Sequence, residues 1–252
     1  MAALEPAPPL PDGYILHAFD QLDGTNAEAL RDGAPPGHVY WAREQAAGRG
    51  RQGRTWQSPP GNLYATICTP VPANRNPGQF AFVAGLAVLD ALAETDRALD
   101  FSLKWPNDVL VDGRKISGVL IEAGDGGYAV GIGINIASSP PDDEVRFPAT
   151  HMQAITDVSV DVEDLLNALC RHFEGWHMRW QIDGFETLRA VWLASGHRIG
   201  DTIAASTGAD LIVDRVVGRF QGLDPDGALI LEDEDGLRHV IAAGDVFFPG
   251  AD

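Results

Sequence analysis

Short runs of apolar and β-branched residues, bounded by Gly, Pro, Asp and Asn, recur through the first 136 residues and predict seven β-strands. The fifth and sixth runs flank Asp112 and Gly113, a two-residue turn signal that predicts a hairpin. The predicted strands are YILHAF at 14–19, HVYWARE at 38–44, GNLYATICT at 61–69, FSLKW at 101–105, DVLV at 108–111, RKISGVLIEA at 114–123 and GYAVGIGINI at 127–136.

Two longer segments carry apolar residues at helical rather than strand spacing. Residues 78–96 are mainly apolar, so we expect a largely buried helix that Pro77 introduces. Residues 161–180 repeat their apolar positions with a helical period, and Asp161 is the expected N-cap. A shorter helix is predicted at 27–33, after a turn at 20–26.

The pattern changes after Gly196, where short apolar runs alternate with Gly, Asp and Pro turns and no helical spacing remains. This pattern predicts a small β-barrel of about fifty residues. The chain therefore divides into a proline-rich disordered tail at 1–13, a main domain at 14–195 and a barrel at 197–252. A polar, proline-bearing loop at 138–150 has the length of an active-site lid.

Length and composition favour a soluble protein with one substantial core and a small second one. The chain has 252 residues, 45% of them hydrophobic, and Cys68 and Cys170 lack the spacing of a disulfide framework or a zinc site. His172 and His177 also lack ligand partners at suitable spacing, so we expect surface or boundary histidines. The N-terminus does not resemble a signal peptide, and no segment approaches the roughly 18 apolar residues of a membrane span. A cytoplasmic location is expected.

Charge is unevenly distributed along the chain. Its 18 basic and 36 acidic residues give a formal net charge of -18, which disfavours a protein that binds nucleic acid over a broad basic face. Yet GRGRQGRTW at 48–56 places three arginines and three glycines within seven positions, and the two lysines of the chain, Lys104 and Lys115, lie close together. The positive charge must therefore act locally, on a specific anion.

The basic loop at 48–56 can cradle a polyphosphate. Its glycines let backbone N–H groups approach a ligand, and Arg49, Arg51 and Arg54 can present planar donor forks to phosphate or carboxylate oxygens. Trp56 adds an aromatic face on which a nucleobase can stack. A solvated basic loop and an RNA-contacting segment are the alternatives that the loop alone leaves open.

KWPND at 104–108 and GIGIN at 131–135 are weaker signals by themselves. Lys104, at the end of a strand, can neutralise an attacking carboxylate and the phosphate that it attacks, but a solvent-exposed lysine in a Pro-Asn turn is the simpler interpretation. Lys115 has the same two interpretations. GIGIN lacks the third glycine of a dinucleotide fingerprint, and its alternating glycines instead expose one backbone face to a flat ligand.

In combination, these motifs resemble those of the biotin protein ligase family in their order and approximate spacing. The resemblance implies an α+β fold, a mixed β-sheet flanked by helices of the class II synthetase-like biotin/lipoate ligase type, with a small C-terminal SH3-like β-barrel. The matching segments are GTN at 24–26, Gln45, GRGRQGRTW at 48–56, KWPNDVLVDGRKISGVLIE at 104–122, GIGIN at 131–135 and, in the barrel, GRFQGLDPDGALIL at 218–231.

The family resemblance also implies a two-step reaction. Biotin and Mg-ATP give biotinyl-5'-AMP and pyrophosphate, and a lysine of a biotin carboxyl carrier protein or domain then attacks the adenylate to form an amide. Activating a carboxylate in this way brings two anions together, and cationic side chains can offset their repulsion. The implied cofactors are ATP and Mg²⁺, with the ion held by the ATP phosphates rather than by a cluster of protein ligands.

The same resemblance assigns the site residues, with the ureido ring of biotin near residues 25–26, its carboxylate at Lys104 and adenine beside Trp56. Glu122 stays open between a site carboxylate and a strand-end residue. The candidate catalytic residues are Lys104, Arg51 and Arg54. The candidate biotin-binding residues are Gly24, Thr25, Asn26, Gln45, Arg49, Gly50, Arg51, Lys104, Gly118, Gly131 and Gly133. The candidate ATP-binding residues are Arg49, Arg51, Arg54, Trp56, Lys104, Asn107, Lys115 and Asn135.

Two features depart from the family pattern. Gly24 stands where the family usually has Ser before Thr-Asn, which removes one hydroxyl partner of the ureido group. The globular pattern begins near Tyr14, so neither an N-terminal winged-helix domain nor DNA binding is expected. A monomer and a homodimer both remain open.

Two other functions compete with the ligase interpretation. A lipoate or octanoate ligase of the same superfamily would share the lysine and the sheet, but it should lack the GRGRxGRxW loop. A non-catalytic nucleic-acid-binding protein is disfavoured by the net charge and by the absence of interleaved basic and aromatic residues on the barrel strands.

Overall fold

The computed structural model of the protein describes residues 10–71, 76–206 and 215–248. Most of the predicted tail at 1–13, and the start of the apolar run at 211–214, lie outside these ranges. Within them, the strands form a seven-stranded sheet and a five-stranded sheet.

All seven strands predicted in the first 136 residues form, and they share one mixed sheet. They are β1 (Ile15–Leu22), β2 (His38–Gln45), β3 (Leu63–Thr69), β4 (Phe101–Lys104), β5 (Asp108–Val111), β6 (Arg114–Ala123) and β7 (Tyr128–Ile134). Their order is β1-β2-β3-β7-β6-β5-β4; β1 and β2 run parallel, and the other neighbours are antiparallel. Asp112 and Gly113 adopt positive φ angles of 49° and 71° in the β5–β6 turn, as their turn signal predicts.

The predicted turn at 20–26 is wrong at both of its ends. Strand β1 continues to Leu22, which is buried and pairs with Gln45 of β2. The first helix then begins at Thr25 rather than at residue 27. Pairing with β2 extends the strand through polar residues that by themselves favour a turn, because the parallel ladder supplies partners for their backbone groups.

Two long helices pack on one another, and the first of them lies against the large sheet. Phe80–Thr95 is mostly buried because it lies between the sheet and Val162–Asp183. Asp161 caps the latter helix as predicted, accepting hydrogen bonds from the backbone N–H groups of residues 163 and 164 at 2.8 and 3.0 Å. The helices are α1 (Thr25–Arg31), α2 (Phe80–Thr95), α3 (Met152–Ile155), α4 (Val162–Asp183) and α5 (Phe185–Ala194).

One helical segment, Pro77–Thr95, is long and apolar enough by composition to cross a membrane, so the statement that no segment approaches such a span was wrong. Within the fold, however, 67% of its most hydropathic window is buried. A core helix of a globular protein meets the same criterion, because both environments favour side chains that are apolar on every face.

A second sheet of five antiparallel strands follows α5, in the order β11-β10-β9-β8-β12. Its strands are β8 (Thr202–Ser206), β9 (Arg215–Leu223), β10 (Leu229–Glu232), β11 (Arg238–Ile241) and β12 (Asp245–Phe247). The indole N–H of Trp105 donates to the carbonyl of Gly227 at 3.0 Å, and the rings of Phe147 and Phe248 meet edge to face. These contacts fix the small sheet against the end of β4 and the loop at 138–150.

Candidate active site

A cavity of about 400 Å³ opens on the face of the large sheet opposite the core. The alternation of β7 explains its floor, since Ile132 and Ile134 belong to the core while Gly131 and Gly133 line the cavity. All sixteen residues proposed from the sequence line this cavity: Gly24, Thr25, Asn26, Gln45, Arg49, Gly50, Arg51, Arg54, Trp56, Lys104, Asn107, Lys115, Gly118, Gly131, Gly133 and Asn135.

The charge of the cavity wall is opposite to that of the chain. Six basic residues line it against three acidic ones, although the chain as a whole has twice as many acidic as basic residues. A concave site of one charge attracts ligands of the other. The basic residues are Arg49, Arg51, Arg54, Lys104, Lys115 and Arg146, and the acidic residues are Asp108, Glu144 and Asp245.

At one end of the cavity, neutral polar side chains form a continuous chain of hydrogen bonds. The Thr66 hydroxyl lies 2.6 Å from Asn26 Oδ1 and 2.8 Å from Thr25 Oγ1. The backbone N–H of Thr25 donates to Gln45 Oε1 at 2.8 Å, and Gln45 Nε2 donates to Ser58 Oγ at 2.9 Å. Because these side chains already have partners, this end, which we call the amide end, is ordered without a ligand.

Three glycines make room for two side chains on the sheet. A Cβ at Gly131 would collide with the Asn26 amide, and a Cβ at Gly133 would lie 2.6 Å from the indole of Trp56. Gly118 pairs with Gly133 across β6 and β7 and also lies under the indole, with a Cβ distance of 3.1 Å. The indole of Trp56 thus lies over Gly133 and Gly118, and the expectation that these glycines serve a flat ligand stays a prediction.

Two lysines share one carboxylate beside this floor. Lys104 Nζ lies 3.5 Å from Asp108 Oδ2, and Lys115 Nζ lies 2.6 Å from Asp108 Oδ1. Burial lowers the pKa of the Lys104 ammonium. The negative charge of Asp108 favours the charged form but only partly offsets this lowering. Burial would raise the pKa of Asp108, but the charges of Lys115 and Lys104 outweigh it and lower that pKa. The Phe147 ring covers Lys104 Nζ at 4.2 Å, so this ammonium is shielded from solvent.

Elsewhere on the cavity wall, arginines gather around Asp245 of the small sheet. Arg54 Nη2 lies 3.0 Å from Asp245 Oδ1, Arg51 Nη1 lies 3.9 Å from the same oxygen, and Arg146 Nη1 lies 3.5 Å from Oδ2. Arg51 Nη1 also donates to Asn107 Oδ1 at 3.1 Å. Together with the two lysines, these groups form what we call the cationic end of the cavity.

Sequence reasoning missed three of these charged residues. Asp108 belongs to the KWPND motif, from which only Lys104 and Asn107 were proposed, so its position near Lys104 was a usable signal. Arg146 lies in the loop at 138–150, whose proposed lid role stays a prediction. Asp245 has no local signal, because it is 99 positions from Arg146 and meets it only when the small sheet packs on the large one.

Glu122, which the sequence left open, lies beside the amide end. Its carboxylate accepts from Asn26 Nδ2 at 2.9 Å and forms a 3.0 Å ion pair with Arg49. Glu122 therefore joins the basic loop to the first turn of α1.

Asn135 has a structural contact beside the cavity: it is buried, and its Nδ2 donates to the carbonyl of Thr150 at 3.0 Å, which fixes the end of the loop at 138–150.

The histidines of α4 lie away from the cavity. His172 contacts surface carboxylates, and His177 packs against aromatic rings of the core. Among the His, Cys, Asp and Glu residues in the described ranges, one trio has donor atoms within 4.8 Å of one another, and it lies outside the cavity: His17, Asp32 and His38.

Two family models match the chain. The model of the Biotin/lipoate A/B protein ligase family matches residues 21–138, and that of the Biotin protein ligase C terminal domain matches residues 212–248. A curated biotin--[acetyl-CoA-carboxylase] ligase from Paracoccus denitrificans is 40% identical over 242 residues, which cover 91% of this chain and 99% of the relative.

Solved structures of similar proteins have the same fold. The biotin protein ligase from Aquifex aeolicus in complex with biotin and ATP superposes with a TM-score of 0.82 at 28% identity, over 92% of this chain and 97% of the other. The biotin protein ligase from Leishmania major in complex with biotinyl-5-AMP superposes with a TM-score of 0.64 at 26% identity, over 90% and 98% of the two chains.

Proposed function

The chain belongs to the biotin protein ligase family, and from that premise we propose how its cavity activates and transfers biotin. In the first step, a carboxylate oxygen of biotin attacks the α-phosphorus of ATP, the bond from that phosphorus to the bridging oxygen breaks, and pyrophosphate leaves. In the second step, a lysine amine of the acceptor attacks the carbonyl carbon, the bond from carbon to the AMP oxygen breaks, and the amine loses a proton. This activity is favoured over lipoate or octanoate ligation and over non-catalytic nucleic-acid binding.

The observation that carries this proposal is the reversal of charge in the cavity. A protein with a net charge of -18 repels ATP and a carboxylate acid over most of its surface. The six basic side chains on the cavity wall create a local site where both anions can bind. Adenylation requires that the two anions meet, so the cations must lie where the carboxylate approaches the phosphate.

The amide end suits the bicyclic ring of biotin. A ureido group presents one carbonyl acceptor and two N–H donors, and Thr25, Asn26 and Gln45 offer hydroxyl, amide and carbonyl partners in a buried setting. Since these side chains are already held by Thr66 and Ser58, they bind the ring with little further ordering.

Lys104 is the residue that we assign to the reacting atoms. Its ammonium is buried and lies on the cavity wall, 3.5 Å from Asp108. A fixed, desolvated cation stabilises the negative charge that develops as the carboxylate attacks the phosphate. Asp108 holds both Lys104 and Lys115 in place, so we assign Asp108 a positioning role.

The arginines and Trp56 suit the nucleotide. Arg51, Arg54 and Arg146 can exchange their contacts with Asp245 for phosphate oxygens, since guanidinium groups bind both kinds of anion through the same donor forks. The indole of Trp56, held flat on the sheet by the strand glycines, offers one face to adenine.

Mg²⁺ enters the site with the nucleotide in this proposal. The three carboxylates on the cavity wall already have partners: Asp108 contacts the two lysines, Asp245 contacts arginines, and Glu144 accepts from Gln57. Oxygen ligands for the ion therefore come chiefly from the triphosphate, which fits the hard-ligand preference of Mg²⁺. When bound, the ion would neutralise part of the phosphate charge.

The acceptor is a biotin carboxyl carrier protein, of the kind that the name of the Paracoccus relative implies. The absence of DNA binding stays a prediction, and the choice between monomer and homodimer stays open. A gel shift with mixed-sequence duplex DNA tests DNA binding, and light scattering of the purified protein tests the oligomeric state.

A reducing, cytoplasmic location is also proposed, and the two buried free thiols of Cys68 and Cys170 are consistent with it.

ATP–pyrophosphate exchange with the purified protein and Mg²⁺ tests the activity, with biotin, lipoate and octanoate compared as the acid. We expect exchange that depends on biotin. Exchange with lipoate or octanoate at an equal rate would contradict the assigned acid, and no exchange with any acid would contradict the adenylating step.

A further inference from the structure

A compact trio of metal-ligand side chains lies outside the cavity, on the β1–β2 edge of the large sheet. His17 belongs to β1, His38 begins β2, and Asp32 is the C-cap residue of α1. His17 Nε2 lies 2.9 Å from His38 Nδ1, and His38 Nδ1 lies 4.0 Å from Asp32 Oδ2. All three donor atoms lie within 4.8 Å of one another. We propose that these three side chains bind a divalent transition-metal ion such as Zn²⁺.

The donor set and its spacing suit that ion. Two imidazole nitrogens and one carboxylate oxygen are typical zinc ligands, and two ligands about 2.0–2.1 Å from a tetrahedral ion lie roughly 3.3 Å apart. The observed distances of 2.9 and 4.0 Å lie on either side of that value. The donor atoms of His17 and Asp32 lie within 4.8 Å of one another, so closing this pair by about 1.5 Å or less would complete the geometry.

The two ring nitrogens that face each other also need a shared partner. His17 Nε2 and His38 Nδ1 each carry either a proton or a lone pair, so a 2.9 Å contact requires one proton between them. A metal ion can replace this proton and bind both lone pairs. The contact thus holds two imidazoles in a convergent arrangement that isolated surface histidines lack.

Neighbouring groups hold the ligands in orientation. The Tyr40 hydroxyl donates to Asp32 Oδ2, and the His17 ring stacks on Tyr40 with a centroid distance of 4.7 Å and an interplanar angle of 11°. Hydrogen bonds and packing around ligands are typical of built metal sites. The Asp32 side chain is 55% exposed, which leaves solvent access for the ion and for a water ligand.

A second histidine cluster, on α4, lacks the convergent ligand arrangement of the trio. His172 lies 2.9 Å from Glu94 through Nε2 and 3.8 Å from Asp90 through Nδ1, so its two nitrogens point to different carboxylates. Glu94 also pairs with Arg171. One ring cannot direct both nitrogens at the same ion, and this cluster is therefore a matched negative control.

A metal ion at the proposed site would also connect the amide end of the cavity to the β1–β2 edge of the large sheet. Asp32 ends α1, and the first two residues of that helix, Thr25 and Asn26, line the cavity. An ion bound by Asp32, His17 and His38 connects this helix to β1 and β2. We expect it to raise the thermal unfolding temperature, because it binds the folded chain and finds no preformed site in the unfolded one.

Titration of the metal-free, tag-free protein with Co²⁺ and Zn²⁺, in the absence of nucleotide, tests the proposal. We expect one ion per chain in the wild type and in His172→Gln. His17→Gln and His38→Gln should each weaken binding at least about 10-fold, since each removes one of three ligands. Equal affinity in the wild type and both ligand variants, or no stoichiometric binding in the wild type, would overturn it.

X-ray absorption of the zinc-loaded wild type needs no variant and guards against misfolding of the substituted chains. The proposal predicts two imidazoles in the ligand set of the bound ion. One or no imidazole would overturn it. Biotin-dependent exchange by His17→Gln and His38→Gln should stay near the wild-type rate at saturating biotin, which separates failure of this site from failure of the proposed ligase activity.

Discussion

At the amide end of the cavity, Thr25, Asn26 and Gln45 are neutral and already hydrogen-bonded, whereas at the cationic end Arg51 and Arg54 are charged and paired with an internal carboxylate. The difference concerns what each ligand must do on binding. A neutral ring can join a formed hydrogen-bond chain. In the proposed binding mode a polyphosphate displaces Asp245, and because the side chains of Arg54 and Arg146 are each 42% exposed, those pairs are weak enough to exchange.

The ligand affinities of the two ends should therefore respond differently to salt and to substitution. Interactions of half-exposed arginines are screened by salt, but hydrogen bonds among buried neutral groups are not. Variants of the amide end should therefore change biotin affinity at every ionic strength. Variants of the arginine cluster should change nucleotide affinity, most strongly at low ionic strength.

The largest effect is expected for Lys104→Ala. Loss of one preorganised cation at the reacting atoms should slow adenylate formation by at least about 100-fold. Single-turnover formation of biotinyl-5'-AMP measures this rate. Arg171→Ala is the matched control, since it removes a cation that pairs with Glu94 far from the cavity and should leave the rate unchanged. A Lys104→Ala rate near that of the wild type would remove the assigned role.

Asn26→Ala should weaken biotin binding roughly 10-fold, because it leaves the buried Thr66 hydroxyl without its 2.6 Å partner and removes an amide from the ring site. Calorimetric titration with biotin at low and high salt measures the effect, which should not depend on salt. ATP affinity serves as the internal control. A loss of ATP affinity in place of biotin affinity would reverse the assignment of the two ends.

Asp245→Asn should tighten ATP binding by about 5-fold at low ionic strength, since it removes the carboxylate that competes with phosphate for three arginines. The gain should shrink as salt is added. Equilibrium titration with a non-hydrolysable ATP analogue over a salt series measures it. Weaker binding at every salt concentration would mean that Asp245 organises the arginines for the nucleotide rather than competing with it.

The smallest effect is expected for Gly24→Ser. The position has extended φ and ψ angles of -173° and 142°, and a Cβ there would have no heavy atom nearer than 3.8 Å, so a side chain fits without strain. One added hydroxyl should tighten biotin binding about 3-fold, the scale of a weak net hydrogen bond. Gly24→Ala is the matched control and should leave the biotin affinity unchanged. Equal affinities in Gly24→Ser and Gly24→Ala would show that the hydroxyl finds no partner.

Local patterns were sufficient for the elements whose signals are local. The turn at Asp112 and Gly113 and the cap at Asp161 were confirmed, because a positive φ and an N-terminal hydrogen bond depend on the residue itself. Helix α5 was not predicted; it begins after Gly184, whose φ of 81° separates it from α4. Strand β1 was predicted too short because its last residues are fixed by pairing with β2.

The site residues likewise fall into those that contiguous motifs predict and those that depend on tertiary contacts. The basic loop and the KWPND motif are contiguous, so their arginines and lysine could be proposed from the chain alone. Asp245 and the Trp56 position on Gly133 depend on contacts between segments far apart in sequence. The sequence could thus name five of the six cations of the site, but not Arg146, the carboxylates that pair with the cations, or the surface on which the indole lies.

We propose that the neutral end of the cavity binds biotin and that the charged end binds the triphosphate. A crystal structure of the protein with biotin and a non-hydrolysable ATP analogue tests this proposal. We expect the ureido ring in contact with Thr25, Asn26 and Gln45, and phosphates among Arg51, Arg54 and Arg146 with the Asp245 contacts broken. A ring bound among the arginines, or phosphates bound while those contacts stay intact, would contradict it.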